Sequence, residues 1–394
     1  MNTPKVNKRI LALDILRGFT IAGMILVNNP GSWGHIYAPL RHAEWNGLTP
    51  TDLVFPFFMF IMGISTYISL KKYNFEFSQS AALKIVKRTI VIFLIGCAIG
   101  WFSRFCRYWV TAPEDLGFFE NLWASVWTFD RMRILGVMQR LALCYGAASI
   151  VALTVKHKRI PYIIATLLIG YFVILMCGNG YEYNETNILS IVDRTILTPV
   201  HMYKDNGIDP EGLLSTLPSI AHVLLGFYVG KLMLDGNKSQ DRMSFLNSQI
   251  ITLFLVGTIL TFAGFLLSYG CPINKKIWSP TFVLTTCGLA SSFLALLIWI
   301  IDVKGKKKWS LFFEAFGVNP LFMYVLGGVL GILFGCIRFP WEDGMISIHT
   351  FLYKIVLMPI FGQTGGSLAF AILFVTINWC IGYQLYKRKI YIKI

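Results

Sequence analysis

Two histidines of this chain sit among side chains that could move a proton. His35 and His42 lie in a stretch that also holds Asn28, Asn29, Trp33, Tyr37, Arg41, Trp45 and Asn46, with Asp52 ten residues past His42. Imidazole titrates at about pH 6.5, so near neutrality it can accept a proton and return it. A carboxylate such as Asp52 can fix the tautomer of a nearby ring. Amides such as Asn28 and Asn46 can donate to an oxygen that gains negative charge. Together these are the parts of acyl transfer. Asp52 also suits plain helix capping, because Thr49, Pro50 and Thr51 precede it.

A second group is Asp14 and Arg17, three residues apart and therefore on one helix face. They either fix helix packing as an ion pair or form the charged wall of a cavity that meets an anionic ligand. Arg140, preceded by Gln139, poses the same alternatives. His157 lies in the basic run KHKR and reads as a solvated charge, while His201, His222 and His349 stand alone and read as structural groups.

The elements that must position these residues are membrane spans. Of 394 residues, 55% are hydrophobic and 14% charged, and mean hydropathy is +0.61, against about 25% charged residues in soluble domains. So few charges could not cover a soluble surface, which excludes a water-soluble globular enzyme, a disordered chain and a coiled coil. The net charge of +15 comes from short clusters between apolar runs, the pattern that orients a bilayer protein, and nucleic acid is not an expected partner. The eight cysteines lie in or near apolar runs with no CxxC or Cys/His spacing, so neither disulfide nor metal is expected.

A span needs about 20 mostly apolar residues. Ten stretches qualify, at 10–29, 52–70, 88–105, 133–154, 160–177, 216–234, 249–268, 280–301, 314–336 and 367–386. The first lacks a small-residue cleavage site and reads as a retained span. With the N-terminus cytoplasmic, inside segments hold 22 Lys and Arg and outside segments 11, so both termini are expected inside. The reading is an all-α, polytopic helix bundle forming one transmembrane domain over 1–394. Segment 351–361 is too short to cross and reads as interfacial or re-entrant within the outside segment 337–366. The polar outside loop 178–215 is a candidate lid or contact surface.

Seven blocks occur in order: LALDILRGFTIAGMILVNNPG, HAEWNGLTPTDLVFPFFMFIMG, RILGVMQR, DPEGLLSTLPSI, INKKIWSPTFVL, DVKG and GVNPLFMY. Together they resemble the heparan-α-glucosaminide N-acetyltransferase family of transmembrane acetyltransferases, from about residue 8 to about 330. The resemblance implies an enzyme that takes acetyl from cytosolic acetyl-CoA and delivers it to a sugar or glycan acceptor on the far side. It implies that His42, in the H-A-x-W-N-G-L-T block, is the catalytic residue, with Asn28 in support. Compared with the lysosomal members, the spacer between the two is longer and the chain begins at the first core span. Both differences bear on the acceptor.

The expected site therefore has His42 as general base or acyl acceptor, Asn28 or Asn46 as oxyanion donor and Asp52 as the group orienting the ring. Asp14, Arg17 and Arg140 are expected at the acetyl-CoA site. Inside-facing lysines and arginines such as Lys71, Lys72, Lys84, Lys87 and Arg88 could meet the donor's phosphates, although orientation alone accounts for most of them. The expected location is a bacterial inner membrane, with lipids as neighbours and a homodimer compatible with the sequence. The competing reading is a secondary transporter or flippase for a glycan or lipid-linked intermediate. Polar density at the bundle's rim rather than mid-membrane weighs against it.

Overall fold

Inside hydrocarbon, backbone N–H and C=O groups have no water to bond, so an apolar run must satisfy them internally as a helix. A computed structural model of the protein describes residues 10–113, 115–203, 205–235 and 241–392. The N-terminal segment 1–9, counted above among the basic segments, lies outside the described residues. Each of the ten predicted stretches falls on helix. In chain order the helices are α1 (Leu11–Asn28), α2 (Pro50–Leu70), α3 (Gln79–Thr111), the short α4 (Phe118–Val126), α5 (Val137–Thr154), α6 (Ile160–Cys177), the short α7 (Ile188–Leu197), α8 (Thr216–Asp235), α9 (Arg242–Leu267), α10 (Pro280–Leu297), α11 (Leu311–Val318) and α12 (Pro320–Cys336), of which α4 and α7 lie outside the predicted stretches. A final helix spans Met358–Lys387. By length and apolarity, eight helices among the described residues could cross a membrane, or nine when α11 and α12 count as one. This is a multi-pass membrane protein.

Burial sorts inner from outer helices. Two thirds of α5 and α8 is buried, against 17% of α9 and 28% of α6, so the last two turn most of their side chains outward. Helices α1, α2, α5, α8 and α10 supply most of one continuous apolar core.

The stretch 314–336, expected as a single span, is instead broken. Helices α11 and α12 meet at 79°, because Pro320 has no N–H to continue the ladder and keeps Asn319 out of helical geometry (φ −126°, ψ 57°). The Asn319 side chain uses the break. Its Nδ2 donates to the Ile390 carbonyl at 2.8 Å and its Oδ1 accepts from the Ile392 amide at 2.8 Å, which ties the chain's end to the bundle.

Segment 337–366 holds a short antiparallel hairpin, β1 (Arg338–Trp341) with β2 (Gly344–Ser347), a structure the all-helical expectation did not contain. Helical chain follows from Ile348, and the final helix is kinked near its start at Gly362, whose φ of 71° and ψ of 178° are not helical.

Candidate active site

Asp52 organises the site because its two oxygens do different work. Pro50 opens α2 and Thr49 caps it, which puts Asp52 in the first turn facing back along the chain. Oδ2 accepts from Thr49 N (3.2 Å), Thr49 Oγ1 (2.9 Å) and Ala43 N (3.0 Å). Oδ1 faces His42 Nδ1 at 2.7 Å and Lys275 Nζ at 3.3 Å. Capping and ring orientation, alternatives in the sequence, are one arrangement in the structure. Asp52 is buried, so its charge requires these partners.

His42 and Lys275 compete for the same oxygen. Lys275 Nζ also lies 3.0 Å from His42 Nδ1, and a nitrogen that donates to Asp52 cannot accept from an ammonium at the same time. The arrangement that satisfies all three groups has Nδ1–H and Nζ–H both pointing at Oδ1. The imidazole Nε2 then keeps its lone pair, on a ring whose side chain is 41% exposed. Burial pulls the Lys275 ammonium below its ordinary pKa, against the opposing pull of Asp52.

His42 is also set apart from most other histidines by its partner. His157, His201, His222 and His349 bind main-chain carbonyls, those of Ala152, Met132, Pro56 and Pro30. Their expected structural role fits these contacts, except that His157 is not simply a solvated charge. Its ring packs edge-on to Phe75 (4.5 Å) and Phe227 (5.2 Å). Among the described residues His42 is the histidine that meets a carboxylate.

Lys275 arrives on the segment between α9 and α10, and that segment is built to hold still. Trp278 adopts a left-handed φ of 53°, a strained conformation for a bulky residue, about 1–3 kcal/mol. Packing holds it there. Its indole is fully buried, with Phe55, Phe282 and His222 at 5.0–5.8 Å and the Arg140 guanidinium at 5.4 Å. Asn274 Oδ1 accepts from Ile277 N (3.1 Å), so its Nδ2 is the end that donates to Asn46 Oδ1 (3.2 Å). That leaves Asn46 Nδ2 as the donating end of the second amide. Gly47, at φ 121°, takes a conformation that side chains rarely adopt and donates its N–H to the Ile273 carbonyl at 2.8 Å.

The loop 178–215 meets the edge of this group at Trp45 and Lys276. Trp45 stacks on Tyr183 at 4.6 Å and donates from Nε1 to the Tyr181 carbonyl at 2.8 Å. Lys276 binds Tyr183 Oη (2.6 Å) and Asp205 (2.8 Å). Asp205 also accepts from the Tyr183 hydroxyl. Arg133 pairs with Asp209 and Glu211.

Asp14 and Arg17 lie at the other end. Arg17 donates to Asp14 at 3.0 Å and to Ser65 Oγ at 2.8 Å. Ser65 is thirteen residues along α2 from Asp52, or about 20 Å at 1.5 Å per residue. Both charged groups, with Ser65 and Lys71, line a cavity of about 850 Å³ whose apolar wall includes Leu13, Ile68, Leu234 and Phe245. Tyr391 and Ile392, tied down through Asn319, close one side. Gly317 forms another, where α11 touches α1. A Cβ on Gly18 would fall 1.8 Å from the Phe313 carbonyl oxygen, and one on Gly317 would fall 2.0 Å from that of Asp14.

The structure therefore brings His42, Asp52 and Asn46 together, and Asp14 with Arg17 at a separate cavity. It does not bring Asn28 or Arg140 to either. Asn28 ends α1 with its side chain exposed. Arg140 is buried and binds Ser219 Oγ (3.1 Å), the Gly212 carbonyl (2.9 Å) and Ser215 Oγ (2.5 Å). Lys275 and Asn274 went unpredicted. Their signal was present in INKKIWSP, where two lysines follow an asparagine just before a span.

The fold and site thus define a polytopic membrane protein with a carboxylate-bound histidine at one end and a large cavity at the other. The catalytic-region model of heparan-alpha-glucosaminide N-acetyltransferase matches residues 9–264, and the chain belongs to that family. It is 27% identical over 374 residues to heparan-alpha-glucosaminide N-acetyltransferase of Homo sapiens, covering 80% of this chain and 52% of that protein. It is 26% identical over 446 residues to the Mus musculus protein of the same name, covering 98% of this chain and 60% of that protein. The chain therefore spans just over half the length of these relatives.

Proposed function

We propose that the protein is a transmembrane acetyltransferase whose donor, acetyl-CoA, binds at the Asp14/Arg17 cavity and whose acceptor, an amino sugar or glycan hydroxyl, meets His42. Arg17 and Lys71 are cations of the kind that bind phosphates, and the apolar wall beside them suits the rest of a long donor. When bound, that donor supplies an activated acetyl carbonyl. Cytosolic acetyl-CoA places the cavity inside and His42 outside, with both termini cytoplasmic, in a bacterial inner membrane.

His42 Nε2 takes the proton of the acceptor's amine or hydroxyl as that group attacks the acetyl carbonyl, and the proton leaves with the sulfur of coenzyme A as the thioester C–S bond breaks. Asp52 holds the ring by Nδ1 and balances the positive charge the imidazole acquires, while Lys275 keeps the resting carboxylate neutralised. Asn46 Nδ2 donates to the carbonyl oxygen as it becomes negative, a role worth about 3–4 kcal/mol in a dry site. Asn28 would share that role if loop 30–49 rearranged toward the end of α1. The 178–215 loop steadies the segment after His42 through the stacking of Tyr183 on Trp45, while the His42 ring stays open to an acceptor.

The observation that carries the proposal is the 2.7 Å pairing of His42 Nδ1 with a buried carboxylate. The test is transfer of labelled acetyl from acetyl-CoA to a panel of amino sugars by purified protein. His42→Ala is expected to lower the rate by about 10³-fold or more, with elution volume and helical circular dichroism unchanged. Wild-type turnover by His42→Ala would refute the assignment. In sealed vesicles, product should form only when donor and acceptor lie on opposite sides.

A further inference from the structure

Most cations at the His42 end of the bundle have a protein partner. Arg133 binds Asp209 and Glu211, Lys275 binds Asp52, Lys276 binds Asp205, Arg194 binds Glu185 and Arg131 binds Asp130. Arg41 and Arg104 donate to the carbonyls of Ile36 and Thr128. Arg107 and Arg338 do neither. Among the described residues no carboxylate or carbonyl accepts from either guanidinium, yet both line one cavity of about 460 Å³ between α3 and α12. Ser103, one turn before Arg107 on the same face of α3, and Asn29 add polar groups to its wall.

Two like charges turned into a shared cavity repel each other unless an anion lies between them. On the orientation proposed above, this is also the side from which arginine is depleted, so membrane topology gives no reason for the pair. The surroundings of the cavity point to the chemistry of the anion. Helix α4 packs beside α3 and presents Phe118, Phe119 and Trp123 outward, with Trp127 just beyond its end. Exposed aromatics of this kind settle at the headgroup level of a bilayer. Guanidinium forks match the oxygens of a phosphate group.

We infer that Arg107 and Arg338 bind a phosphate group, carried either by a bilayer lipid's headgroup or by a soluble phosphorylated molecule. The site shares no residue with the His42 group and stands whether or not that group transfers acetyl. The test uses full-length protein purified in neutral detergent, probed with dioctanoyl phosphatidylglycerol and with inorganic phosphate, and read by native mass spectrometry and thermal unfolding. Wild type should retain the lipid, and Arg107→Gln/Arg338→Gln should hold it about tenfold or more weakly, since bonds to charged groups are the strong ones. Arg107→Lys/Arg338→Lys should hold it better than the Gln pair. Inorganic phosphate that displaces the lipid assigns the site to a soluble ligand, and lipid retained against phosphate assigns it to the headgroup. If the double variant fails to fold, each single Gln variant should still weaken binding severalfold. Equal binding by wild type and Gln variants, or no binding of either probe to wild type, would overturn the inference. His42→Ala should bind as wild type does, which separates this outcome from any failure of the acetyl-transfer reading.

Discussion

The two ends of this bundle treat charge in opposite ways. Around His42 the polar groups are already committed. Five hydrogen-bonding or ionic contacts converge on the buried Asp52, and the loop bearing Lys275 is locked by a fully buried tryptophan in a strained conformation. Around Arg17 there is space. Two ion pairs, Arg17–Asp14 and Lys71–Asp235, and the Ser65 hydroxyl border a cavity of about 850 Å³. The contrast suits a division of labour in which one end fixes dipoles before a bond is made and the other admits a bulky donor.

Substituting Asp52 tests the first half most severely. Asp52→Ala would leave Lys275 buried without its carboxylate and break the Asp52 half of the α2 capping box, costing about 3–5 kcal/mol, with a further fraction of that from the weakened cap. Asp52→Asn keeps the shape but not the charge. It should lower acetyl transfer by about 10²–10⁴-fold while destabilising less than Ala. Melting temperatures and rates measured on both variants separate the two roles, and full activity in Asp52→Asn would break the comparison.

Arg17→Ala probes the open end. It should raise KM for acetyl-CoA about tenfold, the worth of one charge-assisted hydrogen bond, and leave kcat nearly unchanged. A fall in kcat at constant KM would move Arg17 into the chemistry.

The smallest effect concerns an exception at the committed end. Asp193 in α7 is buried, its Oδ1 accepts from Leu213 N at 2.8 Å, and its Oδ2 has no partner. Burial pushes this carboxyl up to about 6. Because the folded pKa lies above the unfolded one, stability is fullest at pH 4 and below, falls as pH rises to about 6, and stays lower beyond it. Asp193→Asn, which cannot ionise, should therefore melt higher than wild type at pH 7, by about 1–3 kcal/mol in stability, and close to it at pH 4. Equal melting at both values would remove the exception.

Much of this was legible in the chain. Apolar length places the helices because hydrocarbon leaves them no alternative, and the i, i+3 spacing of Asp14 and Arg17 predicts a pair that forms. Proximity in sequence also joins His42 to Asp52. Sequence distance hides the rest. Lys275 lies 233 residues from His42, and no local pattern says that Trp278 will pin its loop against α2 and α8. Arg140 and Arg17 look alike as intramembrane arginines, yet one is consumed by two serines and a carbonyl and the other borders a cavity. Only tertiary packing separates them. The hairpin at 338–347 escaped notice because two four-residue strands carry too little alternation to register beside long apolar runs.

The contact of bare backbone at Gly18 and Gly317 leaves no slack on one side of the larger cavity. Helices α1 and α11 already touch, so neither can lean further in, and even a methyl group would wedge them apart. Any adjustment of that chamber to a longer or shorter occupant must then come from its opposite border. There the last two described residues, Tyr391 and Ile392, lie in a segment that the amide of Asn319 fastens at Ile390 and Ile392 like a strap on a buckle.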